Sequence, residues 1–264
     1  MTLISVDDLN DPRLDDYRDL TDGKAARAHV IAEGQVLVER LAKSQWELRS
    51  IVAAPHLAEL ALSLVPADTP VYVVDKGALN QLLGFKFHRG VLAAARRPPP
   101  RSAADLLVDL APSSTIVVCC GICDPENIGV IVRSAMAFGA DRILLGPGCG
   151  DPYSRRVLRT SMGAVLNAVV AKTNDLSAEL KRIRNSGVRT CAAVVDRRAA
   201  PLHSMRRHGP LAIVLGPEGP GLDAEIIRQC DHALTIPIHS EVDSLNVASA
   251  AAVLLNHFAP RRRD

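Results

Sequence analysis

Four groups of residues in this chain have types and spacing that could do chemistry. Cys120-Gly121-Ile122-Cys123 has the Cys-x-x-Cys spacing of a metal or redox pair. A structural zinc site needs four ligands, usually from a second pair of similar spacing. Here Cys149, Cys191 and Cys230 stand alone, and the pair closes an apolar strand candidate. Structural thiols and no bound metal are therefore expected. Ser, His and Asp are plentiful, yet no Gly-x-Ser-x-Gly elbow occurs, so hydrolase chemistry has no local support. Gly216-Pro217-Glu218-Gly219-Pro220-Gly221 is rich in glycine but lacks the Gly-Lys-Ser/Thr ending of a nucleotide-triphosphate loop. It also lacks the Gly-x-Gly-x-x-Gly spacing of a dinucleotide fold, and two prolines there would remove N–H donors. It reads as a stiff, sharp turn whose glycines let backbone approach a ligand closely. The fourth group is arginine, which outnumbers lysine by 25 to 6. Clusters lie at Arg96-Arg97, Arg155-Arg156 with Arg159, Arg197-Arg198, Arg206-Arg207 and Arg261 to Arg263. Planar guanidinium groups suit phosphate; codon bias on a solvated surface gives the same composition.

The elements that must position these groups follow from the rest of the chain. Its 264 residues, 48% hydrophobic and 23% charged, suit one large or two modest folded domains. No apolar run approaches the ~20 residues that span a bilayer, and the acidic N-terminus lacks the order of a signal peptide. A cytoplasmic protein is expected. Residues 1–22 carry a net charge of −5 and the remainder +7, so the first 22 read as an acidic extension. Residues 23–97 read as a small α/β unit, with strands at Ser50–Ala53, Val71–Val74 and Gly90–Ala95 and a helix at Ala78–Leu83. Three consecutive prolines, Pro98 to Pro100, mark a linker over 98–112. Residues 113–264 alternate strand and helix more strongly: strands at Thr115–Cys120, Arg142–Leu145, Arg189–Val195, Leu211–Leu215 and Ala233–Ile236, and helices at Pro125–Gly139, Ser177–Ser186, Ala224–Gln229 and Asn246–Phe258. Such alternation implies a mostly parallel sheet covered on both faces.

Three segments then carry a resemblance. The first is Asp124-Pro125-Glu126-Asn127-Ile128-Gly129 through Arg133, followed by Ala137-Phe138-Gly139-Ala140. The second is Ile213-Val214-Leu215-Gly216-Pro217-Glu218-Gly219-Pro220-Gly221-Leu222. The third is Ile236-Pro237-Ile238, then Ser244-Leu245-Asn246-Val247-Ala248-Ser249-Ala250-Ala251. In this order and spacing they resemble the three motifs of the SpoU/TrmH family of the SPOUT superfamily, RNA ribose 2′-O-methyltransferases that use S-adenosylmethionine. The stretch Asp151 to Arg156, with Arg159 and Ser161 to Ala164, is also similar. Ile31-Ala32-Glu33-Gly34 and Arg89-Gly90-Val91-Leu92-Ala93 resemble, more weakly, the family's ribosomal-protein-like RNA-binding domain.

The resemblance implies an α/β fold: a SPOUT-type parallel sheet with a C-terminal trefoil knot, preceded by a small α/β RNA-binding domain. It implies S-adenosylmethionine held by Gly216, Ile236 and Leu245, with no metal. Arg133 matches the family's catalytic arginine, and Asn127, Glu218, Ser244 and Asn246 match the other motif positions. Arginine is a poor base because its pKa lies above ~12. Arg133 is therefore expected to position the ribose-phosphate and to stabilise the developing alkoxide. Glu218 is expected to fix Arg133 or Asn127 or to assist proton removal, and Asn246 to cap the last helix. Arg89, Arg155, Arg156 and Arg159 are expected on the RNA face. The partners implied are RNA, ribosomal ahead of transfer RNA, and a second copy packed through the last helix, whose surface is small: Ala248, Ser249, Ala250, Ala251 and Ala252. Aromatic residues are only 3% of the chain, which disfavours broad base-stacking platforms. The alternative is a non-catalytic RNA-binding or ribosome-assembly protein on the same scaffold. A Rossmann-type enzyme is disfavoured, for the early glycine-rich turn is missing.

Overall fold

The computed structural model describes residues 3–20, 28–66, 68–239 and 243–260. The Arg261 to Arg263 cluster, most of the junction between the acidic segment and the following unit, and residues 240–242 lie outside that set. The chain forms two compact units: residues 1–99 with 153–166, and residues 100–152 with 167–264.

The first unit contains β1 (Leu3–Ser5), β2 (His29–Glu33), α1 (Gln35–Ala42), β3 (Leu48–Ala53), α2 (Ala58–Ser63), β4 (Val71–Val73), α3 (Lys76–Leu83) and β5 (Val91–Arg96). The sheet order is β1-β4-β3-β5-β2. β1, β4 and β3 run parallel, while β5 is antiparallel to β3 and β2. The acidic segment, expected as an extension, is instead part of this fold. β1 adds an edge strand, and a 3-10 turn over Pro12–Tyr17 carries Leu14 and Tyr17 into the core. Asp7, Asp8 and Asp15 stay exposed and Asp16 is half-buried against His29 and Arg49, while the apolar residues between them go in. Tyr17 is fully buried; its hydroxyl donates to the Ser50 carbonyl at 2.8 Å and accepts from the Ala94 N–H at 3.1 Å. Burial pushes its phenol pKa well up.

The second unit is a seven-stranded, wholly parallel sheet. It contains β6 (Thr115–Cys119), α4 (Pro125–Ala137), β7 (Arg142–Leu145), then, after α5 (Arg155–Thr160) of the first unit, β8 (Val169–Lys172), α6 (Leu176–Asn185), β9 (Arg189–Ala193), β10 (Ala200–Pro201), β11 (Leu211–Leu215), α7 (Ala224–Gln229), β12 (His232–Thr235) and α8 (Val247–Phe258). The strand order is β10-β12-β9-β11-β6-β7-β8. The central strands β6 and β11 are buried at every position. That is why they read as unbroken apolar runs rather than as alternations.

The linker expected over 98–112 is shorter than its composition suggests. The second unit begins at Pro100. Ser102 and Asp105 form a capping box for a 3-10 turn that buries Ala103 and Leu106 against the sheet. Arg142 Nη1 then donates to the carbonyls of Leu106 and Val108 at 2.9 and 2.6 Å. The segment Tyr153–Leu166, read as part of the second unit, belongs with the first. Trp46 Nε1 donates to the Leu166 carbonyl at 3.0 Å, and the Trp46 ring meets Tyr153 edge-on at 5.1 Å.

Candidate functional site

Parallel strands place their loops at one end, and ligands in such sheets bind outside the carboxyl ends where the strand order reverses. β11 lies between β6 and β9, so the turn after it sits at such a place. A cavity of about 730 Å³ opens there, walled by the segments that follow β9, β11 and β12 and by residues 243–245. This size lies within the range of small-molecule sites. Gly216, Glu218, Ile236, Ser244 and Leu245, all expected from the sequence, line it. Asn127, Arg133 and Asn246 do not. The loop from Val194 to Arg197 also lines it; the sequence marked Arg197 only as part of an arginine cluster and did not assign this loop to the site. Its position at the carboxyl end of β9 is the signal that could have found it.

Gly216 is explained by the loop itself. A Cβ there would lie 2.6 Å from the Leu222 amide nitrogen and 2.7 Å from the Gly221 carbonyl carbon. The close approach anticipated for a ligand is thus made by the loop's own backbone, which folds back over the strand end.

Beside the cavity, three motif residues meet. Asp124 caps α4 by accepting from the Glu126 N–H at 2.9 Å, which sets Asn127 in the first turn. Asn246 caps α8, its Oδ1 accepting from the N–H groups of Ala248 and Ser249 at 3.0 and 3.2 Å. α4 and α8 pack together, bringing the two amino ends within reach. Glu218 bridges them. Its Oε1 accepts from Asn127 Nδ2 at 3.2 Å, from Asn246 Nδ2, and from the Val247 N–H at 3.4 Å. Asn246 Nδ2 also donates to Asn127 Oδ1 at 2.9 Å. A carboxylate at a helix amino end is favoured by the helix dipole. With one oxygen facing three donors, Glu218 is built to hold its neighbours in place.

Arg133 is not in this cluster. It lies six residues further along α4, about 9 Å along the axis, its side chain exposed and without a hydrogen bond or ion pair among the described residues. The same exposed strip of α4 holds Val130, 40% accessible. On α8, Ala248 and Ala251 are buried, whereas Ser249, Val253 and Asn256 face outward.

In the first unit, three of the four arginines expected on RNA, Arg89, Arg155 and Arg159, converge on Glu33, which is buried. Arg155 pairs with Glu33 Oε1, lies over the Phe85 ring at 4.6 Å and is largely buried. Arg159 Nη1 is 4.0 Å from Glu33 Oε2, and Arg89 Nη1 donates to the Glu33 carbonyl at 3.2 Å. Arg89 is exposed, Arg156 and Arg159 half-buried. The six cysteines are free thiols. Burial pushes Cys191 up to about 12 and Cys230 up to about 11, while Cys123 is exposed. Among the described residues no group of three or more His, Cys, Asp or Glu is placed to hold a metal ion.

Comparison with known proteins bears on all of this. The model of the SpoU rRNA Methylase family matches residues 114–256. An uncharacterized tRNA/rRNA methyltransferase of Mycobacterium bovis is 38% identical over 258 residues, covering 94% of this chain and 88% of the relative. The 23S rRNA (guanosine(2553)-2′-O)-methyltransferase RlmP of Bacillus subtilis is 26% identical, covering 86% of this chain and 87% of the relative. Among solved structures, an rRNA methyltransferase from Sinorhizobium meliloti superposes with a TM-score of 0.84 at 25% identity, covering 98% of both chains.

Proposed function

The chain belongs to the SpoU rRNA methylase family, and from that premise we propose that it methylates a ribose 2′-hydroxyl of ribosomal RNA, with S-adenosylmethionine as donor. The observation that carries this reading is the meeting of Asn127, Glu218 and Asn246 beside a cavity walled by Gly216, Ile236, Ser244 and Leu245. Sheet order and the packing of α8 on α4 bring residues from three distant motifs into one polar cluster beside a strand-end cavity, an arrangement suited to holding a ligand there. The cavity suits the cofactor chemically: Ile236 and Leu245 offer apolar walls for an adenine, and Asp196, Arg197 and Asp243 offer charge for a zwitterionic amino-acid end. When bound, that cofactor supplies a methyl group already activated on sulfonium.

The chain's own task is alignment and charge. Orienting two reactants is worth about 7–11 kcal/mol in favourable cases. Glu218, with Oε1 facing three donors, holds Asn127 and Asn246 and so shapes the mouth of the cavity. Ser244, at that mouth, is a hydrogen-bonding partner for the ribose. Arg133, exposed and unpaired among the described residues, engages the ribose-phosphate and stabilises the alkoxide as the hydroxyl loses its proton. Arg89, Arg156 and Arg159 contact RNA phosphates, and Arg155, held by Glu33, positions them. The first unit, with Tyr153–Leu166, is the RNA-binding domain.

We also propose a homodimer in which exposed Val130 of α4 and Val253 of α8 are covered by a second copy, with Arg133 at the edge of that contact and open to RNA. No described helix is long and apolar enough to cross a membrane, and the reading places the protein in the cytoplasm with its RNA.

Calorimetric titration with S-adenosylmethionine and S-adenosylhomocysteine, followed by transfer of labelled methyl to unmodified ribosomal RNA, tests the reading. Arg133→Ala should abolish transfer and leave cofactor affinity within twofold, because Arg133 does not line the cavity. Retention of most of the rate would overturn the assignment of Arg133. RNA binding without cofactor binding or transfer would favour the non-catalytic alternative. Methylation of transfer RNA alone would redirect the substrate.

A further inference from the structure

A second polar cleft, of about 630 Å³, opens at the other end of the same sheet, lined by Lys181, Arg184, Asn185, Arg189, His208 and Asp231 among others. Arg189 begins β9, His208 lies just before β11, and Asp231 immediately precedes β12. These strands are parallel neighbours, so their amino ends share one edge. The length of β9 puts that edge roughly 16 Å from the carboxyl ends that wall the cavity.

The charge in this cleft is unbalanced. Its carboxylate, Asp231, is already committed: one oxygen accepts from Arg184 Nε at 2.9 Å, and the other from the Thr190 N–H and hydroxyl at 2.8 and 2.9 Å. Arg184 also donates to the Gln229 carbonyl at 3.0 Å. The side chains of Lys181, Arg189 and His208 make no hydrogen bond or ion pair among the described residues, which leaves two full positive charges uncompensated. Cations at the carboxyl end of α6 complement its dipole. That accounts for Arg184, in the last turn. It does not account for Arg189 or His208, which come from a strand start and a loop. A concave, basic surface focuses its field on anions. The backbone N–H groups here are spent internally: Gly187 on Arg184 at 2.9 Å and Arg189 on Pro210 at 3.1 Å. The site therefore attracts by side-chain charge, which suits a repeating phosphodiester more than a cradled single phosphate.

We propose that this cleft is a sequence-independent contact for the phosphodiester backbone of the RNA substrate, remote from the ribose that is methylated. The proposal rests on the RNA-methyltransferase reading above.

The test compares the full-length protein with its Lys181→Gln/Arg189→Gln variant. Binding to an unmodified 23S ribosomal RNA transcript is measured across a potassium chloride series. Each phosphate contact contributes about 0.7–0.9 to the log–log salt slope, so the variant's slope should be shallower by about 1.4–1.8. Its cofactor affinity should match the parent's, which also reports that it folds. Arg189→Lys should keep the parent slope. Should the double variant fold poorly, the exposed Lys181→Gln alone should still lose about 0.7–0.9 of slope. An unchanged slope in a variant that binds cofactor, with the parent methylating RNA, overturns the cleft proposal and leaves the enzyme reading standing. A parent protein that neither binds nor methylates RNA overturns both.

Discussion

Replacing Asn246 with Asp separates two roles that the structure gives this side chain. As a helix cap the change is neutral or favourable. Asp caps about as well as Asn, and a negative charge at the amino end of α8 adds about 0.3–1 kcal/mol. As a member of the cluster the change is costly. The Nδ2 group that donates to Glu218 and Asn127 disappears, and a second carboxylate takes its place against the Glu218 carboxylate. Two unit charges about 4 Å apart repel by about 1 kcal/mol in water and about 4 kcal/mol at an effective dielectric of 20. Asn246 and Glu218 are both exposed, so the value lies near the water limit, about 1–2 kcal/mol. Loss of a hydrogen bond to a charged acceptor adds about 1.5 kcal/mol. N246D should therefore be about 2 kcal/mol less stable than the parent at pH 7. The pH dependence has a definite sign. Repulsion raises a carboxyl pKa in the folded state above its unfolded value. The deficit is then present above the folded pKa and shrinks as the pH falls through it. Urea unfolding midpoints at pH 7 and pH 4.5 measure this directly. Adding Glu218→Gln to N246D should recover at least about 1 kcal/mol, since the amide can donate to the new carboxylate. If N246D is as stable as the parent at pH 7, the cluster contributes nothing and Asn246 is only a cap.

Three further outcomes follow from particular contacts. Arg207 is half-buried and donates to Thr115 Oγ1 and the Phe258 carbonyl, each at 2.8 Å, and to the Ser114 carbonyl. Arg207→Met should cost about 3 kcal/mol and lower the melting midpoint by about 6–12 °C in scanning calorimetry; a shift under about 2 °C would mean these bonds add little. Gly216→Ala forces a Cβ onto the Gly221–Leu222 backbone. It should weaken S-adenosylmethionine binding more than tenfold by calorimetry, and unchanged affinity would remove this loop from the cofactor site. Thiol labelling at pH 8, read residue by residue by mass spectrometry, should modify Cys123 first. Cys191, pushed up to about 12, should label only at the rate of unfolding; equal rates would contradict its burial.

The acidic segment shows where sequence reading stops. Seven aspartates in 22 residues look like a solvated tail. Leu14, Tyr17 and Leu20 nevertheless reach the core, because a short 3-10 turn and the residues after it turn apolar side chains inward between charges that stay exposed or, like Asp16, find a basic partner. Such a turn leaves no 3.6- or 2-residue period to detect. Arg155 is a similar case. Its cluster looks like a phosphate-binding surface, but the partner that draws it inward, Glu33, lies 122 residues away. β8 escaped notice because it is a short edge strand whose alternation is too brief to stand out.

What the sequence determined by itself is the parallel α/β character of residues 113–264 and the residue types at the site. Strands buried on both faces must be apolar throughout, and helix starts need a capping side chain, so both leave local signatures. What only the tertiary structure decided is which of those residues meet. Asn127 and Glu218 are 91 residues apart, and Glu218 and Asn246 are 28 apart. They join because β11 inserts beside β6 and α8 packs on α4. Strand order and helix docking are settled by the summed packing of the whole sheet, which no local period encodes. The same packing left Arg133 outside the cluster, on an open face of its helix.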